Sequence, residues 1–240
     1  KDDTKGHFES VLGIAVRVAN YNTFKENYRS AIKKAFENVG VSQDYQYYCT
    51  HDLTNFPQKN MIIETFAKEI SRSVDKIHVL YTLFSPSRIP EVKVYGRLAK
   101  REKLKLSKPT RTYSEIINSH FVQCFPAICA WRLHKYFSNY STNFHLDSFQ
   151  GHLFEGYEEL DGFNKIVYPA GDCANPIIST ADLLLDLVDK RLLDNRKLLL
   201  FDNIRPALPE FGDKVVVYPL LNKHLPKITP LDKLPLDTNI

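Results

Sequence analysis

Four aspartates sit where acids at the ends of structural elements could hold metal ions. Asp2 and Asp3 lie in "KDDTKG", ahead of an alternating apolar stretch. Asp147 closes "NFHLD", and Asp182 falls near the start of "STADLLLDLVDKRLL". Carboxylates on separate elements are the hard oxygen donors that Mg²⁺ or Mn²⁺ prefer. In two-metal phosphodiester hydrolysis the ions lie ~3.5–4 Å apart and stabilise the attacking and leaving oxygens, so no protein nucleophile is needed. The expected ligands are therefore Asp2, Asp147 and Asp182, with Asp3 as a further catalytic acid.

Each acid also has a plainer reading. Ser179-Thr180-Ala181-Asp182 fits a capping box, with Ser179 as N-cap and Asp182 at the third helical position. Asp147 precedes Ser148 and could start a turn through its own backbone, and Asp2 and Asp3 could belong to a frayed terminus. Asp186 follows Asp182 by one helical turn, and His145 alternates with Asp147 so that both share one strand face. Both are candidates for contacts behind the ligands. Cys173, next to Asp172, lacks a positioned histidine in sequence and reads as an inert thiol. No Gly-rich phosphate loop, GxGxxG or GxSxG occurs, which removes Rossmann, kinase and nucleophile-elbow readings.

The elements that must position these acids follow an α/β rhythm. "ESVLGIAVRVAN" (9–20) alternates at Ile14, Val16 and Val18 as a strand does. Residues 20–40 carry Phe24, Tyr28, Ala31, Ile32, Ala35 and Phe36 at helical spacing, with Asn22 or Thr23 as cap and Gly40 as stop. "YQYYCT" (45–50) reads as a short strand, 55–74 as a helix with Pro57 in its first turn, and "KIHVLYTLF" as a buried strand. A helix is expected over 114–137. Short strands follow at "NFHLD", "KIVYP", "KLLLF" and "KVVVYPLL", with a helix over 179–193. That helix should bury Ala181, Leu184, Leu185, Val188 and Leu192. The strands at 10–19 and 143–147 are expected in one sheet. Domain organisation is one α/β domain over 1–204, with a helical and basic insertion at about 85–140. Residues 205–240 add a strand and a Pro-rich tail.

Between 88 and 111, cations outnumber acids, and Arg97, Lys100, Arg101, Lys103 and Lys105 cluster around Tyr95. Such a run can neutralise phosphates while tyrosine stacks on unpaired bases, so DNA or RNA is the expected partner. A solvated loop is the plain alternative. The net charge of only +4 confines any nucleic-acid affinity to this patch. Hydrophobic content of 43% supplies a core, but no apolar run approaches the ~20 residues of a membrane span. No CxxC pair occurs among the four cysteines, which argues against a structural zinc site or a disulfide framework and for a reducing, cytoplasmic setting.

In order and spacing, residues 2–195 resemble a group of RNase H-like domains of unknown function. Members open with a D-E-S-G motif and close with Q-x-A-D-L-L. Here "DDTKG" stands for the opening, "YYCTHDLTN" for a K-S-x-D-L stretch matched at Asp52-Leu53, "FHLDSF" for the central acid, and "ISTADLLLDLV" for the final motif. Lys is absent before Asp52 and Gln before the A-D-L-L. The resemblance implies an RNase H-like mixed sheet flanked by helices, a strand ahead of Lys1 carrying Asp2, and a metal-dependent nuclease or phosphodiesterase. The rival implication is an inactive RNase H-like module that binds nucleic acid through the basic run, or a protein partner through the C-terminal tail.

Overall fold

The computed structural model describes residues 9–43, 45–84, 133, 142–147, 164–194 and 204–219. Asp2, Asp3, the basic run, most of the 85–140 insertion, "KLLLF" and the tail beyond 219 lie outside the described residues. Leu133 is helical and buried, within the span expected to be a helix.

Alternation places Glu9–Arg17 in strand β1. It pairs antiparallel with β2, Lys76–Phe84, in register from Glu9 opposite Phe84 to Arg17 opposite Lys76. β2 in turn pairs parallel with β5, Val215–Pro219, giving a sheet ordered β1-β2-β5. Ile77, His78, Val79 and Leu80 are all buried, so the central strand is covered on both faces. The strand that sequence assigned to the C-terminal segment thus belongs to the main sheet.

Helix α1 (Tyr21–Glu37) is capped by Asn20, whose Oδ1 accepts the Thr23 N–H at 3.0 Å; the cap lies two or three residues before the expected Asn22 or Thr23. The stretch expected as a strand at 45–50 is bent and leads into a short helix α2, Thr50–Leu53. Its aromatic residues turn to tertiary contacts instead: the Tyr48 N–H donates to Tyr28 Oη at 3.1 Å, and Tyr48 Oη accepts from the Tyr45 N–H at 2.8 Å. Helix α3 (Lys59–Ile70) starts after Pro57, rather than around it.

A second sheet pairs β3 (Asn143–Asp147) with β4 (Asn164–Tyr168) in parallel, Asp147 opposite Tyr168. β1 and β3 therefore do not share a sheet among the described residues. The backbone of β3 pairs with β4, and the long helix over Pro176–Asp194 packs against both β1 and β3. After β4 come the single-turn helix α4 (Gly171–Ala174) and the long helix α5 (Pro176–Asp194).

The core joins Phe24, Tyr28 and Ile32 of α1, Ile62 and Phe66 of α3, Leu183, Leu184, Leu187 and Val188 of α5, and Ile77 and Val79 of β2. α5 buries Leu183 and Leu187 where Leu185 was expected; Ala181 and Leu185 are half-buried. Its apolar stripe is rotated because the helix is wedged between β1, α1 and α3 rather than lying flat on one sheet. The result is a mixed α/β fold, a small mixed sheet flanked by helices. No described helix is long and apolar enough to cross a membrane.

Candidate functional site

The site forms where α2, α4 and the first turns of α5 meet. α5 begins three residues earlier than its sequence suggests, because Asn175 caps it: Asn175 Oδ1 accepts the N–H groups of Ile177 at 2.9 Å and Ile178 at 3.3 Å. Pro176 then occupies the first helical position, where a missing N–H loses no bond. Ser179 is not the cap. It is fully buried, donating to the Tyr48 carbonyl at 2.5 Å and lying 2.7 Å from Tyr28 Oη. Asp182 consequently stands in the second turn.

β3 grips this junction twice from one face. Asp147 Oδ1 accepts the Gly171 N–H at 2.6 Å. Two residues earlier, His145 Nδ1 lies 3.0 Å from Asn175 Nδ2 and 2.9 Å from Tyr168 Oη, with its ring stacked on both Tyr21 and Tyr168. Because Asn175 Oδ1 faces backbone donors, Nδ2 must donate and His145 Nδ1 must accept. Burial depresses the basicity of this ring, in keeping with a neutral imidazole. A Cβ at Gly171 would lie 2.5 Å from Ile178 Cδ1 and 2.9 Å from Asp147 Oδ1, so this position accepts only glycine without displacement.

Asp182 reaches α2. Its Oδ2 accepts both the N–H of Thr50 at 2.7 Å and the Thr50 hydroxyl at 2.8 Å. Burial raises its pKa, the Thr50 bonds oppose the rise, and the charges of Asp172 and Asp186 add to it. Asp186 one turn later is held by Lys59, with Nζ 2.9 Å from Oδ1. Asp189 is exposed.

Three further groups converge between α2 and α4. Cys49 Sγ lies 3.1 Å from Cys173 Sγ, and Asp52 Oδ2 lies 3.3 Å from the first sulfur and 3.6 Å from the second. Asp52 also accepts the Cys49 N–H at 3.1 Å, closing the turn that presents Cys49. Among the described residues, these three donors form the group compact enough to surround one ion, all within 4.8 Å of each other. Both thiols have raised pKa values, mainly through burial. A thiol so disposed is a poor nucleophile.

A family model described as "Domain of unknown function (DUF8203)" matches residues 1–237. The chain belongs to the DUF8203 family. It is 24% identical over 245 residues to an "Uncharacterized protein" of Archaeoglobus fulgidus, covering 92% of this chain and 69% of that relative. No solved structure matches the chain.

In this DUF8203 chain the acids expected to act together are placed differently from one another. Asp182 binds Thr50 at the start of α2 and Asp186 pairs with Lys59 at the start of α3, whereas Asp147 binds the backbone of Gly171. Asp2 and Asp3 lie outside the described residues, as do Arg97, Lys100, Arg101, Lys103 and Lys105. Sequence reasoning set aside Cys49, Asp172 and Cys173. The one signal available was that each thiol has an acid close by, Cys49 three residues before Asp52 and Cys173 directly after Asp172.

Proposed function

We propose that this DUF8203 chain is a divalent-metal-dependent phosphodiester hydrolase acting on nucleic acid, built on an RNase H-like α/β frame. The observation that supports it best is the setting of Asp182. Its carboxylate is largely withdrawn from water and opposed by Asp172 and Asp186, yet its Oδ1 carries no hydrogen bond among the described residues. Asp172, whose Oδ1 takes the Cys173 N–H at 2.9 Å, lies close enough for its charge to act on Asp182. Carboxylates are the hard donors that Mg²⁺ or Mn²⁺ takes, so Asp182 and Asp172 suit the ion in donor type. When bound, such an ion would acidify a water and stabilise a leaving oxygen. Thr50 orients Asp182 by holding Oδ2, and Lys59 neutralises Asp186 so that it does not compete. Asp147 positions the α4 turn through Gly171, and Asp2 is the further ligand proposed from sequence. Arg97, Lys100, Arg101, Lys103 and Lys105 are proposed to bind the substrate's phosphates.

A second reading has its own support. Asp147 and Asp182 each already serve as acceptors for protein donors, a role that requires no ion. An inactive module that binds nucleic acid through the basic run, or a protein through the tail, would keep both.

The deciding experiment incubates the chain with single-stranded and duplex DNA and RNA, with Mg²⁺, Mn²⁺ or chelator. The hydrolase reading expects cleavage only with the ion, and none by Asp182→Asn. Binding without cleavage under every condition would favour the inactive module. In either case, replacing Lys100, Arg101 and Lys103 should flatten the salt dependence of binding.

A further inference from the structure

The geometry points to a second cation site, at Cys49, Asp52 and Cys173, that takes a borderline-soft ion of the Zn²⁺ class rather than Mg²⁺. Two sulfurs and one carboxylate oxygen make the donor set. Thiolates select zinc-like ions, whereas Mg²⁺ demands oxygen.

Distances agree with that chemistry. A tetrahedral ion with bonds of about 2.3 Å to sulfur and about 2.0 Å to oxygen sets sulfur–oxygen edges of about 3.5 Å and a sulfur–sulfur edge of about 3.8 Å. The observed sulfur–oxygen separations are 3.3 and 3.6 Å. The sulfurs, 3.1 Å apart, would open by about 0.7 Å on binding. A disulfide between them would instead require closure to about 2.0 Å, and it would give no reason for Asp52 to present one oxygen to both sulfurs.

The donors also come from rigidly placed elements. The N–H of Cys49 is bonded to Asp52, its neighbour Thr50 is clamped by Asp182, and Cys173 follows the α4 start that Asp147 holds through Gly171. Cys49 is buried, Asp52 half-buried and Cys173 exposed, so the three donors run from the interior to the surface, where a fourth ligand could come from solvent. Three protein ligands with one open position are the pattern of a zinc ion able to bind water or a substrate group. Asp172, beside Cys173, adds negative charge around both sulfurs. Its ligands, Cys49, Asp52 and Cys173, are not those proposed for Mg²⁺ or Mn²⁺, although Asp172 lies beside both.

Co²⁺ alone is the probe, titrated into the reduced, chelator-treated full chain. One equivalent should produce a sulfur-to-cobalt charge-transfer absorption, which Zn²⁺ abolishes by displacement and excess Mg²⁺ does not. Loss of outer contacts to a metal ligand already weakens binding by 10–100-fold, so Cys49→Ser, Cys173→Ser and Asp52→Asn should each weaken cobalt binding by at least about tenfold. Circular dichroism matching the parent chain shows that each variant is folded. A Cys124→Ser/Cys129→Ser double variant should keep the absorption. The proposal is overturned if no such absorption arises, if it survives in the folded Cys49→Ser/Cys173→Ser variant, or if Cys124 and Cys129 carry it. A reduced chain that binds no cobalt but forms a Cys49–Cys173 disulfide on exposure to air would make the pair a redox pair instead.

Discussion

Asp147 Oδ1 and the Gly171 N–H meet at 2.6 Å, joining the end of β3 to the start of α4. This bond gives the strand-end acid a structural task that two substitutions separate. Asp147→Asn retains an acceptor oxygen and should keep the fold, and with it any ion-dependent cleavage. Asp147→Ala leaves the Gly171 N–H unanswered and should cost about 1–3 kcal/mol. Gly171→Ala drives a Cβ into Ile178 and Asp147 and should cost a similar amount, about 1–3 kcal/mol, through overpacking. Urea denaturation of the three variants checks the order. If Asp147→Asn folds normally but loses cleavage, Asp147 is a ligand after all.

Asp182 should weigh against stability at neutral pH. Its pKa is raised above the ordinary 3.8, chiefly by burial, so the folded chain binds a proton more readily than the unfolded chain. Stability from this group is complete below 3.8 and is lost as pH rises through the folded-state value. Asp182→Asn keeps an acceptor for Thr50 and removes the charge. The variant should therefore be at least as stable as the parent at pH 7 while losing cleavage. Mn²⁺ should raise the melting temperature of the parent and not of the variant. Destabilisation of Asp182→Asn at pH 7 would show that the Thr50 bonds require the full charge.

Long periodic elements were legible in the sequence, and convergences were not. β1 and α1 are legible because Ile14/Val16/Val18 alternate and Phe24/Tyr28/Ile32 recur at helical spacing, each pattern set by the face turned to the core, and β2 because its run is apolar on both faces. "YQYY" misled because aromatic residues favour strands, while Tyr48 is turned by its bonds with Tyr28 and Tyr45, twenty and three residues away. The start of α5 was misplaced because Ser179 and Asp182 mimic a capping box, and the cap Asn175 is identified only by the donors it faces. Asp182 and, one turn on, Asp186 stand out in the sequence, but the neighbour Asp172 depends on how α4 folds back on α5. Cys49 and Cys173 are 124 positions apart, and no local spacing rule reaches across that interval.

His78 should impose an acid limit on the main sheet. It is buried on β2 with Nδ1 3.2 Å from Tyr218 Oη, and burial, assisted by the charges of Arg17 and Lys76, lowers its pKa from 6.5 to about 4. Between those values the unfolded chain takes up a proton that the folded chain refuses, so stability falls as pH falls through that window. The loss should be on the order of 3 kcal/mol by pH 4. Denaturation midpoints from pH 7 to pH 4 should fall for the parent chain, and the slope should be shallower for His78→Gln. Parallel slopes would assign the acid sensitivity to other groups.

Ala170 holds a backbone conformation that alanine rarely adopts, with φ 122° and ψ 55°. It links β4 to α4, its N–H bonded to the Tyr168 carbonyl at 3.1 Å and its carbonyl accepting the Cys173 N–H at 3.2 Å. That geometry aims the Gly171 N–H at Asp147 and carries Cys173 to Cys49. A side chain at this φ costs of order 1–3 kcal/mol, offset in part by the greater freedom that glycine loses on folding. The Ala170 side chain is exposed, so its removal opens no cavity. Ala170→Gly should therefore raise stability by about 1 kcal/mol, against the usual penalty for introducing glycine. Ala170→Val, β-branched at the same φ, should lower it. If the strain is sustained by the Asp147–Gly171 bond, the gain from Ala170→Gly should change when Asp147→Ala is already present, since residues sharing one backbone turn do not act independently. Chemical denaturation of the two single variants and the double variant measures that coupling. Equal gains in both backgrounds would mean that the turn is held by something other than Asp147.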